Sequence, residues 1–345
     1  MVSDFNEVEL TTRFRPGMRV VVRYRTGDSA TDALGDVIDV TADTVTVHTR
    51  RRGAVRITRD AILLAKPVPP APARRGRPHL AIGMDDLQEL MVAAMPPLQS
   101  QWLGRWLLRS AEGYTGRANS VLPLGDPGLP LSAAVTHAEQ WYAALGQPAL
   151  MELFGPTGFD PAADALGTEL VQRGWRIFQR TLIMTADAAV VAASSTPGSI
   201  GGSWAPGSVG SPSPVEIAVT DSPTDAWWSG TSERGQAHRG TFEKVLTRVE
   251  QPVYVTASRH DRTQAVGRAA ISAGWAGLFE INVRSEARRQ GLGRLVVATA
   301  AARAQAHGIR LVYLQVSEDN EAAVELYRSM GFAIHHEYYY ARSQK

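Results

Sequence analysis

Cysteine is absent from all 345 residues, which rules out disulfides, thiolate zinc sites and a cysteine nucleophile. A reducing, intracellular compartment fits that absence. No uninterrupted apolar run reaches the roughly 18 residues that a bilayer-crossing helix needs. The N-terminal MVSDFNEVEL has no basic start followed by an apolar stretch, as a secretory leader would. A soluble, cytoplasmic protein without a membrane partner is expected. Excess charge is missing too: Lys+Arg 36 stand against Asp+Glu 34, a formal +2. The whole chain is therefore no polyelectrolyte, nucleic acid is not an expected partner, and any basic patch must be local. What is plentiful is apolar side chain, 44% of residues, enough to bury real cores in the two or three domains that the length predicts.

Two seams divide the chain. KPVPPAPARRGRP (66–78) is rich in Pro and Arg and should be extended, and SSTPGSIGGSWAPGSVGSPSP (194–214) reads as a long loop or linker. The predicted organisation is a small β unit (1–66), a linker (67–83), a middle block (84–193), the Gly/Ser/Pro-rich loop (194–214) and a C-terminal block (215–345). In the first block, short alternating runs at 18–24, 35–40, 44–48 and 54–57 predict a small antiparallel barrel of the SH3-like class. Its Arg13, Arg15, Arg19, Arg23, Arg25 and Arg50-Arg51-Arg52 are interspersed with Asp28, Asp32, Asp36, Asp39 and Asp43. That mixture reads as a solvated surface more than a nucleic-acid footprint.

In the C-terminal block the patterns predict strands at 215–219, 253–257, 265–272, 277–283 and 311–316 and helices at 241–249 and 320–330. A long helix ending at His307 precedes the 311–316 strand, and two more strands follow Gly331-Phe332 as far as Tyr340. The result is α/β with a mixed sheet. Between the strand ending at Val283 and the long helix lies RRQGLGR (288–294). A Walker A loop needs Gly-Lys followed by Ser or Thr, which is absent, and a dinucleotide fingerprint needs a third glycine where Val296 stands. What remains is a helix N-terminus whose first amides are unsatisfied donors at the positive end of the macrodipole. Gly291 and Gly293 allow close approach, and Arg288, Arg289 and Arg294 add charge. The combination predicts an anion cradle.

The spacing Arg288-x-x-Gly291-x-Gly293 resembles the pyrophosphate-binding loop of the GCN5-related N-acetyltransferases (GNAT). Asn320-Glu321-Ala322-Ala323-Val324-Glu325-Leu326-Tyr327 followed by Gly331-Phe332 resembles that family's later helix-to-strand segment. The resemblance runs from Val215 to the C-terminus. It implies the α+β GNAT fold, acetyl-coenzyme A as cosubstrate, and direct acetyl transfer to an amine on a small molecule, peptide or protein. It also implies that Ile281, Asn282, Val283, Arg288, Arg289, Gln290, Gly291, Leu292, Gly293, Arg294, Asn320 and Tyr327 hold the coenzyme. Tyr327 would protonate the departing thiolate. Glu280, on the strand leading to the loop, is the candidate base, although a carboxylate there is often only a surface group. Asn320 can serve the coenzyme, cap its helix, or do both.

Other pairs are set aside. His260-Asp261 sits at a hairpin tip, where neighbouring side chains diverge. His335-His336 should alternate across a strand, so no metal site is expected. Trp227-Trp228 can line an acceptor pocket or simply be core, and Trp204 can fold over the site from its loop.

Residues 141–175 parallel 303–332 in order: helix, Gly, strand, polar loop, helix, Gly-aromatic. Yet Gly128-Leu129-Pro130 stands where Gly291-Leu292-Gly293 would, with Asp126 nearby and no counterpart to Tyr327. The middle block thus reads as a degenerate GNAT-like lobe, a wall for the acceptor cleft. The alternative function is an acetyl-coenzyme A-binding regulatory or scaffold module whose basic N-terminal barrel recruits a protein or nucleic acid. The sequence does not fix the oligomeric state.

Overall fold

A computed structural model describes residues 14, 16–27, 29–49, 53–67, 77–195 and 214–344. Trp204, Arg13, Arg15, Arg50–Arg52 and most of both seams lie outside the described residues. The chain forms two compact units, Met1–Ala71 and Pro72–Lys345.

The first unit is one antiparallel sheet of β1 (Arg19–Thr26), β2 (Ser29–Val40), β3 (Thr44–Thr49), β4 (Gly53–Thr58) and β5 (Ile62–Pro67), in the order β4-β3-β2-β1-β5. Alternation puts Val20, Val22, Val45 and Val47 on one face, where they bury with Phe14, Val37 and Ile57. β4 and β5 stand at the two edges, so among the described residues the pairing makes an open sheet. Ile62–Pro67 lacks period-two alternation, which hid this fifth strand from the sequence. On the outer surface Arg23 meets Asp32 at 3.1 Å and Arg19 meets Asp36 at 3.7 Å. Cross-strand carboxylates thus offset these two arginines.

The second unit begins with α1 (Met84–Met91), β6 (Gln99–Leu103), β7 (Trp106–Ser110), β8 (Leu122–Pro123), α2 (Leu131–Ala144), β9 (Leu150–Gly155), α3 (Ala165–Gln172), β10 (Arg176–Asp187) and α4 (Ala188–Ala193). Then follow β11 (Glu216–Thr220), α5 (Asp225–Ser229), α6 (Glu233–Ala237), α7 (Arg239–Leu246), β12 (Gln251–Arg259), β13 (Arg262–Ser272), β14 (Trp275–Val283), α8 (Leu292–Ala306), β15 (Leu311–Ser317), α9 (Glu321–Ser329) and β16 (Ala333–Arg342). The series β8-α2-β9-α3-β10 repeats as β14-α8-β15-α9-β16, which gives the internal parallel a structural form.

The lobes on either side of residues 194–214 share one eight-stranded sheet, ordered β11-β12-β13-β14-β15-β10-β16-β9. β10, from the middle block, lies antiparallel to both β15 and β16, and β16 in turn pairs with β9. Two strands were expected after Phe332, but the structure has one, Ala333–Arg342. β10 occupies the place of the second, and no turn residue interrupts HHEYYY. A small sheet β6-β7-β8 continues toward β9 through a parallel bridge, Val121 to Met151.

Period-two alternation gives the large sheet two apolar faces. Leu182, Met184, Leu278, Val312 and Leu314 face one core with α8, while Ile183, Phe279 and Tyr313 face the other with α1. The Ala-rich α8 lies close to the sheet because its buried positions are small. Gly267 on β13 completes the fit, since a Cβ there would stand 2.4 Å from Val296 Cγ1. Trp227 and Trp228 are core, at 0% and 4% exposure, with Trp227 Nε1 donating to the Gly267 carbonyl at 3.0 Å. The acceptor-lining alternative for this pair is therefore dropped.

The histidine pair also differs from expectation. The β10–β16 register shifts between Ile183 and Met184, making His335 an extra residue. The bulge breaks the expected alternation, and the two Nδ1 atoms lie 2.7 Å apart. His335 Nε2 also bonds the Ile82 carbonyl at 2.9 Å. Among the described residues no group of three or more His, Asp or Glu side chains is placed to hold a metal.

Candidate active site

β14 and β15 run parallel and paired from Trp275↔Leu311 to Leu278↔Leu314, and there the pairing stops although both strands continue. Among the described residues, the edge of Phe279–Val283 that faced β15 thus has no strand partner. On its other side β14 stays paired with β13, with Asn282 opposite Val266 and Val283 opposite Ala265. A bulge sits between, where Gly267 opposes both Glu280 and Ile281. Glu280 takes φ +49°, a left-handed conformation that costs a non-glycine residue about 1–2 kcal/mol. Regular alternation would have put Glu280 on the same face as Leu278, toward α8. The bulge re-aims it beside Phe279, into a cavity of about 310 Å³ between the two lobes.

Glu280 is held there. Its Oε1 accepts from the Ser232 amide at 2.7 Å and from the Ser232 hydroxyl at 2.6 Å. Ser232 is placed by its own role as N-cap of α6, accepting from the Gly235 amide.

Past Val283 the chain turns through a short 3₁₀ segment, Ser285–Ala287, into the glycine loop. Arg284 pins the entry by donating to the carbonyls of Thr263 (2.7 Å) and Ser229 (3.0 Å). Arg289 and Gly291 adopt φ +58° and +79°, and Gly291 is the N-cap of α8. Among the described residues, no backbone amide from Arg289 to Arg294 reaches a protein carbonyl, and the helix ladder starts with Leu295 to Gly291 at 3.0 Å. These are the donors an anion needs. A Cβ added at Gly293 would meet Leu326 and Val283 only at 3.4 and 3.7 Å, so packing alone does not demand glycine there. Leu292 is buried and anchors the turn. Arg288 donates to the Val283 carbonyl, Arg294 to the Ser329 hydroxyl, and Gln290 accepts from Arg259. Arg259, a cation at this loop, carries no motif that sequence reading can catch.

Asn320 caps α9, its Oδ1 accepting from the Ala323 amide at 3.2 Å. Tyr327, on the same helix, is 7% exposed and packs edge-on to Phe332 at 5.8 Å between ring centres. Burial pushes its hydroxyl up to about 12, opposed by the Arg117 guanidinium, so it remains protonated throughout the physiological range. His260 and Asp261 form the β12–β13 turn with φ +48° and +58°.

The middle lobe has the corresponding turn in another state. The Gly128 amide is already bonded, at 2.8 Å, to Asp126. The helix N-cap is Pro130, which has no N–H to give. A cavity of about 680 Å³ at the corresponding strand ends is lined by Asp85, Asp160 and Asp164, which would repel a phosphate.

A family model described as "Probable histone acetyltransferase Rv0428c C-terminal" matches residues 84–341. The chain belongs to this family. The match spans both lobes without interruption, as one shared sheet would lead one to expect. Over 271 residues the chain is 27% identical to "Uncharacterized N-acetyltransferase YobR" of Bacillus subtilis, covering 74% of this chain and 98% of that protein. It is 31% identical over 135 residues to "Probable histone acetyltransferase Rv0428c" of Mycobacterium tuberculosis, covering 37% and 41% respectively. Among solved structures, a GCN5-related N-acetyltransferase from Kribbella flavida superposes with a TM-score of 0.51 at 18% identity, covering 77% of this chain and 97% of that one. The protein is thus an acetyltransferase with the GNAT fold.

Proposed function

We propose that the protein transfers the acetyl group of acetyl-coenzyme A directly to an amine. The observation that carries this reading is the parting of β14 from β15 after Leu278, leading straight into a loop whose amides find no acceptor among the described residues. Arg288–Arg294 suit a diphosphate. Ile281, Asn282 and Val283 offer a free strand edge to an extended amide-bearing arm, and Asn320, already a helix cap, is the further polar group beside it. When bound, the cosubstrate supplies an activated acyl carbon.

The chain's own groups do the rest. Glu280 takes one proton from the acceptor ammonium, so that a neutral nitrogen can form the C–N bond as the C–S bond breaks. The nitrogen's second proton balances the departing thiolate. Tyr327 donates a hydrogen bond to that sulfur. With its hydroxyl near 12 and a thiol near 8.5, complete transfer from Tyr327 runs uphill. Its part is therefore stabilisation of the thiolate more than outright protonation.

The test is release of free thiol from acetyl-coenzyme A with a broad panel of amines. The expected result is turnover that falls in Glu280→Gln and Tyr327→Phe, with coenzyme affinity kept. Coenzyme binding without thiol release from any amine would instead favour the regulatory module.

A further inference from the structure

The cavity at Glu280 has a charge pattern that bears on the acceptor, given the acetyl-transfer reading above. Three guanidinium groups, Arg117, Arg234 and Arg342, line it against one carboxylate, Glu280. None of the three makes an ion pair with a carboxylate among the described residues; the buried Glu152, itself paired with Arg109 at 3.0 Å, adds to the field at Arg117. Arg117 lies over the Phe279 ring at 5.9 Å, Arg234 over Tyr114 at 6.0 Å and Arg342 over Phe178 at 5.1 Å. Behind the wall stands a further cation, Arg268, at 0% exposure and 4.9 Å from the Phe279 ring. Its Nη2 donates to the Ala94 carbonyl, while Nε and Nη1 reach no acceptor among the described residues. Burial lowers the Arg268 pKa from the ordinary guanidinium value, and Tyr254, Tyr114, Tyr313 and Glu280 oppose that shift, so Arg268 adds to the positive side of the cavity while facing the same carboxylate.

Arg117 comes from the degenerate lobe and is held in place. Asn119 organises its loop, accepting from the amides of Ala111 (2.7 Å) and Gly113 (3.0 Å) and donating to the carbonyls of Tyr114 (2.6 Å) and Thr115 (2.9 Å). Gly116 lets the loop lie against Tyr340, whose ring would be 2.4 Å from a Cβ there. Arg117 Nη2 then reaches the Gln315 carbonyl at 3.3 Å, one residue beyond the last β14–β15 pair. The guanidinium thus stands at the strand opening.

We infer that the acceptor is a small zwitterion, an amine that also carries a carboxylate, with the ammonium directed to Glu280 and the carboxylate to Arg117 and Arg234. Guanidinium pairs with carboxylate in a planar fork, and like charges in the same cavity disfavour a Lys- or Arg-rich tail. The volume suits a molecule of amino-acid size, and the aromatic walls suit an apolar side chain.

The test uses the full chain with coenzyme A present. It measures binding of the free amino acids, their amides and the corresponding decarboxylated amines, and of one polybasic peptide, by thermal shift and calorimetry. Thiol release is followed in parallel. At least one free amino acid should bind 10-fold or more tighter than its amide. Arg234→Glu, at an exposed position, should reverse that preference, and Arg117→Lys should weaken it. Equal or tighter binding of the amide, the amine or the polybasic peptide would overturn the inference, as would no binding of any free amino acid. Failure of the acetyl-transfer reading looks different: a free amino acid binds with the stated preference, yet no thiol is released.

Discussion

Tyr327 shows how burial tunes a single group. Among the described residues its hydroxyl makes no hydrogen bond, so Tyr327→Phe should leave the melting temperature almost unchanged. A hydrogen bond to a charged group is worth about 1.5–3 kcal/mol, so kcat should fall roughly 10- to 100-fold at unchanged coenzyme affinity; steady-state kinetics with calorimetry checks both. Glu280→Gln should cost about 10²- to 10⁴-fold in kcat/KM, measured by thiol release under steady-state conditions. His336 affects folding instead. Burial holds its folded-state value down at about 3 against an ordinary 6.5, so the unfolded chain binds the proton first as pH falls. The stability is whole above about 6.5 and is lost on acidification toward 3, by about 2 kcal/mol at pH 5. Urea titrations at pH 7 and 5 should show that loss, and His336→Gln should flatten it.

At the level of elements, the setting of the glycine turn was legible because it is local: a strand, an Arg/Gly loop and a helix start are contiguous in sequence. Gly291→Ala would force an alanine to φ +79°, costing about 1–2 kcal/mol, and should weaken coenzyme binding more than it slows the chemistry, which binding titrations separate from kcat. The aim of Glu280 was not legible. Alternation assigns it to the α8 face, and only the bulge opposite Gly267 turns it to the cavity. His335 escaped prediction for the same reason. A bulge is a property of two strands in register, and a single strand's sequence does not encode where its partner slips. Arg117 was hidden differently, since nothing in YTGRANS says that its loop will meet β15 almost two hundred residues later.

For the molecule as a whole, the order of strands within the C-terminal lobe was readable as far as Phe332, whereas the exchange of β10 and β16 was not, because the pattern of an apolar strand does not name its neighbour. The exchange has a measurable effect. Residues 215–345 expressed alone would leave the facing edges of β15 and β16 unpaired, and such edges template aggregation. The isolated segment should be insoluble, whereas residues 1–205 and 206–345 produced together as two chains should copurify and retain thiol release.

β15 of the second half pairs with the terminal strand of the first, and β9 of the first half pairs with the terminal strand of the second. That reciprocity is the geometry of a domain-swapped dimer joined into a single polypeptide. In such an arrangement each half lends the other a structural part, so neither can be discarded. On the proposed reading, the first half could therefore lose its phosphate-binding chemistry, down to Asp126 against Gly128, while its fold stayed under the same constraint as that of the half proposed to hold the coenzyme.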